Sequence, residues 1–170
     1  MTARCDVVVI GSAMVEIVPA QMGRPLTQVE TMVPLPSGSA ANFAGSLAAL
    51  GASVRLLTRV GDDELGQWLV GALAARGIGT QFVAPVAGQL TPVSFAWMDQ
   101  DGAKTFFFYR FPGWCDPMGE LIVEALDPTQ VTAGRLFDFT EATVRNEPLR
   151  SAALAAAGMA REAGREVCYA

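Results

Sequence analysis

Val7-Val8-Val9-Ile10 is an unbroken β-branched run that stops at Gly11. Such a run reads as a short strand covered on both faces, the pattern of a parallel sheet. Residues 14–36 carry Pro19, Gly23, Pro25, Pro34 and Pro36, too many breaks for a helix. The pattern there predicts two short extended pieces, Val15 to Val18 and Val29 to Val33. From Ala40 to Leu50 the spacing becomes helical. Ala41, Ala44, Leu47, Ala48 and Leu50 supply a small-residue apolar face, and Gly51 stands where a helix end favours glycine.

Ser53 to Thr58 reads as the next strand. Asp62-Asp63-Glu64 then places carboxylates at the start of a helix from Glu64 to Arg76, where the helix dipole favours them, and Gly77 and Gly79 end it. Val93 to Met98 and Thr105 to Tyr109 are strands around the turn signal Asp99-Gln100-Asp101-Gly102. Arg135 to Phe139 is a further buried-type strand, and Glu147 to Ala163 an alanine-rich helix closed by Gly164. Glu166-Val167-Cys168-Tyr169 begins another strand. Alternating strands and helices predict an α/β fold, a parallel sheet flanked by helices on both faces. Four sheet strands, two or three covering helices and a hairpin make an incomplete version of it, so the expectation is the N-terminal part of a larger domain.

Composition narrows the chemistry. The 170 residues include no histidine, which excludes Ser-His-Asp and Cys-His catalysis, and His-ligated zinc or haem. Acid–base work would fall to Asp, Glu, Cys, Tyr or the single lysine, Lys104. Hydrophobic residues make up 51% and charged ones 17%, a globular rather than disordered balance. The formal net charge is −5 and the arginines are scattered, so no nucleic-acid partner is expected. Cys5, Cys115 and Cys168 are odd in number and form no CxxC pair, which suits a reducing compartment. Cys115 reads as a packing residue rather than a reactive one. With no bilayer-length apolar stretch and no signal-peptide pattern, the expectation is a cytoplasmic protein without a membrane partner.

Two nucleotide motifs are absent. A P-loop needs GxxxxGK[ST], and Lys104 sits in the hairpin. A Rossmann fingerprint needs GxGxxG, and Gly11-Ser12-Ala13-Met14-Val15-Glu16 lacks the second and third glycines. Ser37-Gly38-Ser39-Ala40-Ala41-Asn42-Phe43-Ala44, followed by Gly51 and Gly61, stands out. A small-residue loop opening a helix lets backbone approach a ligand and points free N–H groups at it. Read alone, the same stretch is also a tight loop with Asn42 as a capping group.

Taken in order, these segments resemble the PfkB/ribokinase family of carbohydrate kinases, nearest its 2-keto-3-deoxygluconate kinase and fructokinase branch. Residues 37–44 are similar to the family's Gly-Gly-x-x-x-Asn loop, with Ser37 and Ser39 standing where Ala or Gly is usual. Arg59-Val60-Gly61-Asp62-Asp63-Glu64-Leu65-Gly66 resembles its Val-Gly-x-Asp-x-x-Gly turn. Residues 11–16 resemble its first strand exit, with Glu16 in place of Asp, and residues 101–110 resemble its lid strand.

The resemblance implies a ribokinase-like fold with a small β lid from segments 14–36 and 92–110, in which Met32, Val33, Phe95 and Trp97 are candidate apolar residues. It implies that Glu16, Gly38, Ser39 and Asn42 bind the sugar, and that Tyr109 and Arg110 read its far end, the guanidinium suiting a carboxylate. The open alternatives are an exposed edge carboxylate at Glu16, and a solvated strand end with packing aromatics at Phe106, Phe108, Tyr109 and Arg110. The implied activity is transfer of phosphate from ATP to a primary hydroxyl of a ketose or 2-keto-3-deoxy sugar acid. The implied partner is a second copy through the lid. The family's catalytic Asp-Thr-x-Gly-Ala-Gly-Asp motif and its Asn-x-x-Glu motif do not occur in residues 1–170, and Asp138, Asp62 and Asp63 do not match them. ATP and Mg2+ would therefore be bound outside this chain, which is expected to be inactive alone. A nucleoside or sugar-phosphate kinase of the same fold, and a non-catalytic sugar-binding module, are the alternatives.

Overall fold

The computed structural model describes residues 5–21, 23–98, 101–109 and 117–170. Among the described residues two sheets are built from nine strands. The larger is fully parallel, in the order β5-β4-β1-β8-β9, with β1 Cys5–Ile10, β4 Val54–Gly61, β5 Val83–Val86, β8 Gly134–Phe139 and β9 Glu166–Tyr169. The smaller runs β3-β2-β6-β7, with β2 Met14–Pro19, β3 Met32–Ser37, β6 Val93–Met98 and β7 Lys104–Tyr109.

β1 sits at the centre of the larger sheet, which explains its unbroken apolar run. Val7 and Val9 face α1 (Ser39–Ala49) and α2 (Glu64–Ala75), where Ala40, Ala44, Leu69 and Leu73 close one core. Val8 and Ile10 face the other side, against Ala152, Ala153, Ala156 and Ala160 of α4 (Leu149–Glu162). Alanine stripes let α1 and α4 lie close to the sheet. α3 (Pro128–Val131) is a single turn capped by Asp127, whose side chain accepts from the Thr129 N–H.

The predicted strands and helices are present, β6 and β9 with the expected ends and the others with shifted ones. α1 begins at Ser39 and α4 at Leu149, behind Pro148. Leu50, assigned to the apolar face of α1, is instead 85% exposed beyond the helix end. The extended piece expected at Val29 to Val33 lies at Met32–Ser37 and runs through two prolines. β5 has no counterpart in the sequence reading, because Pro85 sits inside it. Both strands lie at sheet edges, where a proline's missing N–H can face outward. The 99–102 turn, Cys115 and Arg110 fall wholly or partly outside the described residues.

The two sheets are joined by touching loops. Gly38 has φ +113°, and a Cβ there would collide with the Ser12 carbonyl. Ala41 N–H donates to the same carbonyl at 3.4 Å. Arg76, at the end of α2, donates to the Pro36 carbonyl at 2.9 Å and fastens β3 to the larger layer.

Candidate functional site

A cleft of about 980 Å³ opens between the smaller sheet, the start of α1 and the segment that follows β8. Glu16, Gly38, Ser39 and Asn42 all line it. Each arrives by a different local rule. Glu16 is the third residue of β2, on the face shared with Met14, and both side chains reach the cleft. Gly38 turns the chain into α1 without a side chain in the way. Ser39 and Asn42 follow one helical turn apart, on one face. The first-turn N–H groups of Ser39 and Ala40 are not used within the helix, which leaves donors at its positive end.

Alternation along β7 decides the aromatic positions. Phe106 and Phe108 line the cleft. Phe107 and Tyr109 point from the opposite face: Phe107 stacks on Phe95 with ring centroids 4.9 Å apart, and Tyr109 meets Phe95 and Phe107 edge-on at 5.6 Å each. Tyr109 is therefore not among the cleft-lining residues, contrary to the expectation, because a strand sends neighbouring side chains to opposite faces. Phe95 and Trp97, expected as apolar lid residues, share that far face, and Trp97 meets Phe107 edge-on at 5.6 Å. Arg110 lies outside the described residues.

The opposite wall went unnoticed in the sequence. It comes from Met118 to Glu120 and from Glu141 to Leu149. Glu141 and Arg145 form an ion pair at 2.7 Å. Glu147 accepts from the Arg150 guanidinium at 2.7 Å and the Ser151 N–H at 3.1 Å. Those bonds, from Ser151 first and then Arg150, hold its carboxyl below the usual range. The Ser39 and Thr140 hydroxyls are 3.0 Å apart although 101 residues separate them, and this contact ties the two walls together.

Two further acidic groups, Asp63 and Asp138, lie outside the cleft. Asp63 caps α2, accepting from Gly66 N–H at 2.7 Å, and also accepts from Thr91 N–H at 2.8 Å and Thr91 Oγ1 at 2.6 Å. Gly61 and Gly66 admit this knot: a Cβ on either would strike the Thr91 segment or the Gly61 carbonyl. The 59–66 turn therefore positions β6. Asp138 is fully buried in β8, in register with Cys168 of β9, whose weak thiol is its polar neighbour. Burial pushes its carboxyl up, and the thiol opposes this in part.

Among the described residues no group of three or more Cys, Asp or Glu could hold a metal ion. None of the helices described is long and apolar enough to cross a membrane.

The family model for pfkB family carbohydrate kinases matches residues 5–113. Fructokinase-1 of Oryza sativa subsp. japonica is 33% identical over 173 residues, spanning 99% of this chain and 52% of the rice protein. The PfkB protein from Polaromonas sp. JS666 superimposes with a TM-score of 0.86 at 26% identity, over 97% of this chain and 55% of that one. Halothermothrix orenii fructokinase gives a TM-score of 0.79 at 25% identity, over 96% of this chain and 56% of that one. The chain spans about half the length of the curated relatives it matches.

Proposed function

Because the chain belongs to the pfkB family of carbohydrate kinases, we propose that it forms the sugar-holding part of an ATP-dependent sugar kinase. The acceptor is a ketose or a 2-keto-3-deoxy sugar acid phosphorylated on a primary hydroxyl. The observation that carries this reading is the convergence of Glu16, Gly38, Ser39 and Asn42 on one cleft. Sugars present several hydroxyls, and a site that removes them from water must return their hydrogen bonds. A carboxylate, an amide, a serine hydroxyl and helix N–H groups are suited to that.

Phosphoryl transfer rests on positioning and charge neutralisation. In this reading the chain supplies positioning. Glu16 and Asn42 orient the acceptor, the backbone at Gly38 and Ser39 approaches it closely, and Phe106 and Phe108 on the smaller sheet exclude water above it. When bound, ATP and Mg2+ would supply the phosphoryl group and its charge neutralisation. Their binding residues and the catalytic base belong outside this chain, so the chain alone is inactive. A second copy pairing through the smaller sheet, whose far face carries Phe95, Trp97, Phe107 and Tyr109, is part of the same proposal.

The test is ADP release by the complete protein with Mg-ATP and a panel of neutral ketoses, sugar acids and nucleosides. Release that depends on a ketose or a sugar acid is expected. Release with nucleosides alone, or with nothing in the panel, contradicts the reading.

A further inference from the structure

Nearly every buried polar atom of a folded protein finds a hydrogen-bond partner, so each exception asks for a cause. Among the described residues the exceptions fall on Gln89, Ser94, Asp138 and Arg165. Only Gln89 belongs to the wall of the cleft; the other three are not among its lining residues. Its Oε1 is buried and receives no hydrogen bond.

The fold holds Gln89 in this place. It lies between β5 and β6, and its N–H donates to the Val86 carbonyl at 3.2 Å. Its own carbonyl is packed so closely on Gly61 that a Cβ there would stand 2.8 Å from it. Two residues on, Thr91 is fixed through backbone and side chain. Its N–H and Oγ1 donate to Asp63 at 2.8 and 2.6 Å, and Oγ1 accepts from the Gly61 N–H at 3.1 Å. The Gly61–Gly66 turn therefore clamps the segment that carries Gln89. A group on an anchored backbone has less freedom to lose when a ligand binds it.

The chemistry of the atom defines its partner. A carboxamide oxygen only accepts, so it needs a donor. None of the described residues supplies one. A ligand hydroxyl fits, and it fits equally with the amide turned over, because a hydroxyl both donates and accepts. Water can serve the atom in an empty cleft, and a bound hydroxyl replaces that water without losing the bond.

We infer that Gln89 is a further specificity-determining residue, whose amide contacts one particular hydroxyl of the phosphoryl acceptor. The inference rests on the sugar-kinase reading and adds to it a residue outside the 11–16, 37–44 and 101–110 segments.

The experiment uses the complete protein, with D-fructose and 2-keto-3-deoxygluconate as probes, and reads calorimetric affinity, ADP release and thermal unfolding. Gln89→Met keeps the length of the side chain and removes the amide. It should weaken binding of the tighter probe about tenfold, the scale of one hydrogen bond, with kcat within about twofold and the ATP KM unchanged. The ligand-free variant should melt no lower than wild type, since no hydrogen bond of the fold is lost. Among monodeoxy analogues of the tighter probe, one should bind the variant and wild type alike, which identifies the hydroxyl that Gln89 reads. Gln89→Asn, which withdraws the amide by one methylene, should show the same loss and serves if Gln89→Met fails to fold. Unchanged affinity in a folded variant overturns the inference alone, as does an equal loss with every analogue. Binding of neither probe overturns the sugar-kinase reading and the inference with it. Binding that weakens as expected, without ADP release, upholds the inference and removes the kinase reading.

Discussion

Asp63 shows how a motif that looks like chemistry can be architecture. Partial burial pushes its carboxyl up, but hydrogen bonds from Thr91 and Gly66 outweigh this and hold it below its ordinary value. A carboxyl depressed by folding stabilises the native state above its unfolded pKa, and that contribution is lost as pH falls through the folded value. Asp63→Ala should therefore cost about 1–2 kcal/mol near neutral pH, the range of a lost helix cap, and less in acid, as read by urea denaturation. Asp138 carries the opposite sign. Its raised pKa means that ionisation costs stability once the pH exceeds the unfolded value of about 3.8, and the cost grows until the folded value is passed. Asp138→Asn should gain stability relative to wild type as pH rises from acid to neutral, and denaturation midpoints across that range check it.

At the scale of elements, the smaller sheet and α1 meet at Gly38. Its φ of +113° and its contact with the Ser12 carbonyl leave no room for a side chain. Gly38→Ala should destabilise the fold by about 2 kcal/mol or more and abolish sugar binding, measurable by thermal unfolding and calorimetry. Much of this level was legible beforehand. β1, β6 and β9, α2 and the 37–42 loop follow from apolar period, carboxylates at a helix start and glycine placement. β5 and the true extent of β3 were hidden because proline argues against a strand until its edge position is known. Tyr109 illustrates another limit. A strand alternates its side chains between two faces, but the run Phe106-Phe107-Phe108-Tyr109 is aromatic at every position and gives no phase, and the register with β6 supplied it. The wall from Glu141 to Leu149 was illegible because the Ser39–Thr140 contact that places it spans 101 residues.

At the scale of the whole molecule, β9 has one neighbour among the described residues, β8, and presents Val167 and Tyr169, both exposed. An unpaired edge with exposed apolar residues invites strand addition. The isolated 170-residue chain should self-associate, and Val167→Lys should reduce this, as read by light scattering after size exclusion. The larger claim is that this chain holds the sugar while nucleotide is bound elsewhere. Asn42→Ala tests it most directly, since alanine preserves α1 and removes a cleft group. The measurement is the KM for sugar and for ATP in the complete protein. The account predicts a sugar KM raised at least about tenfold, the loss of one well-placed hydrogen bond, with the ATP KM unchanged. An unchanged sugar KM, or a rise confined to ATP, would contradict it.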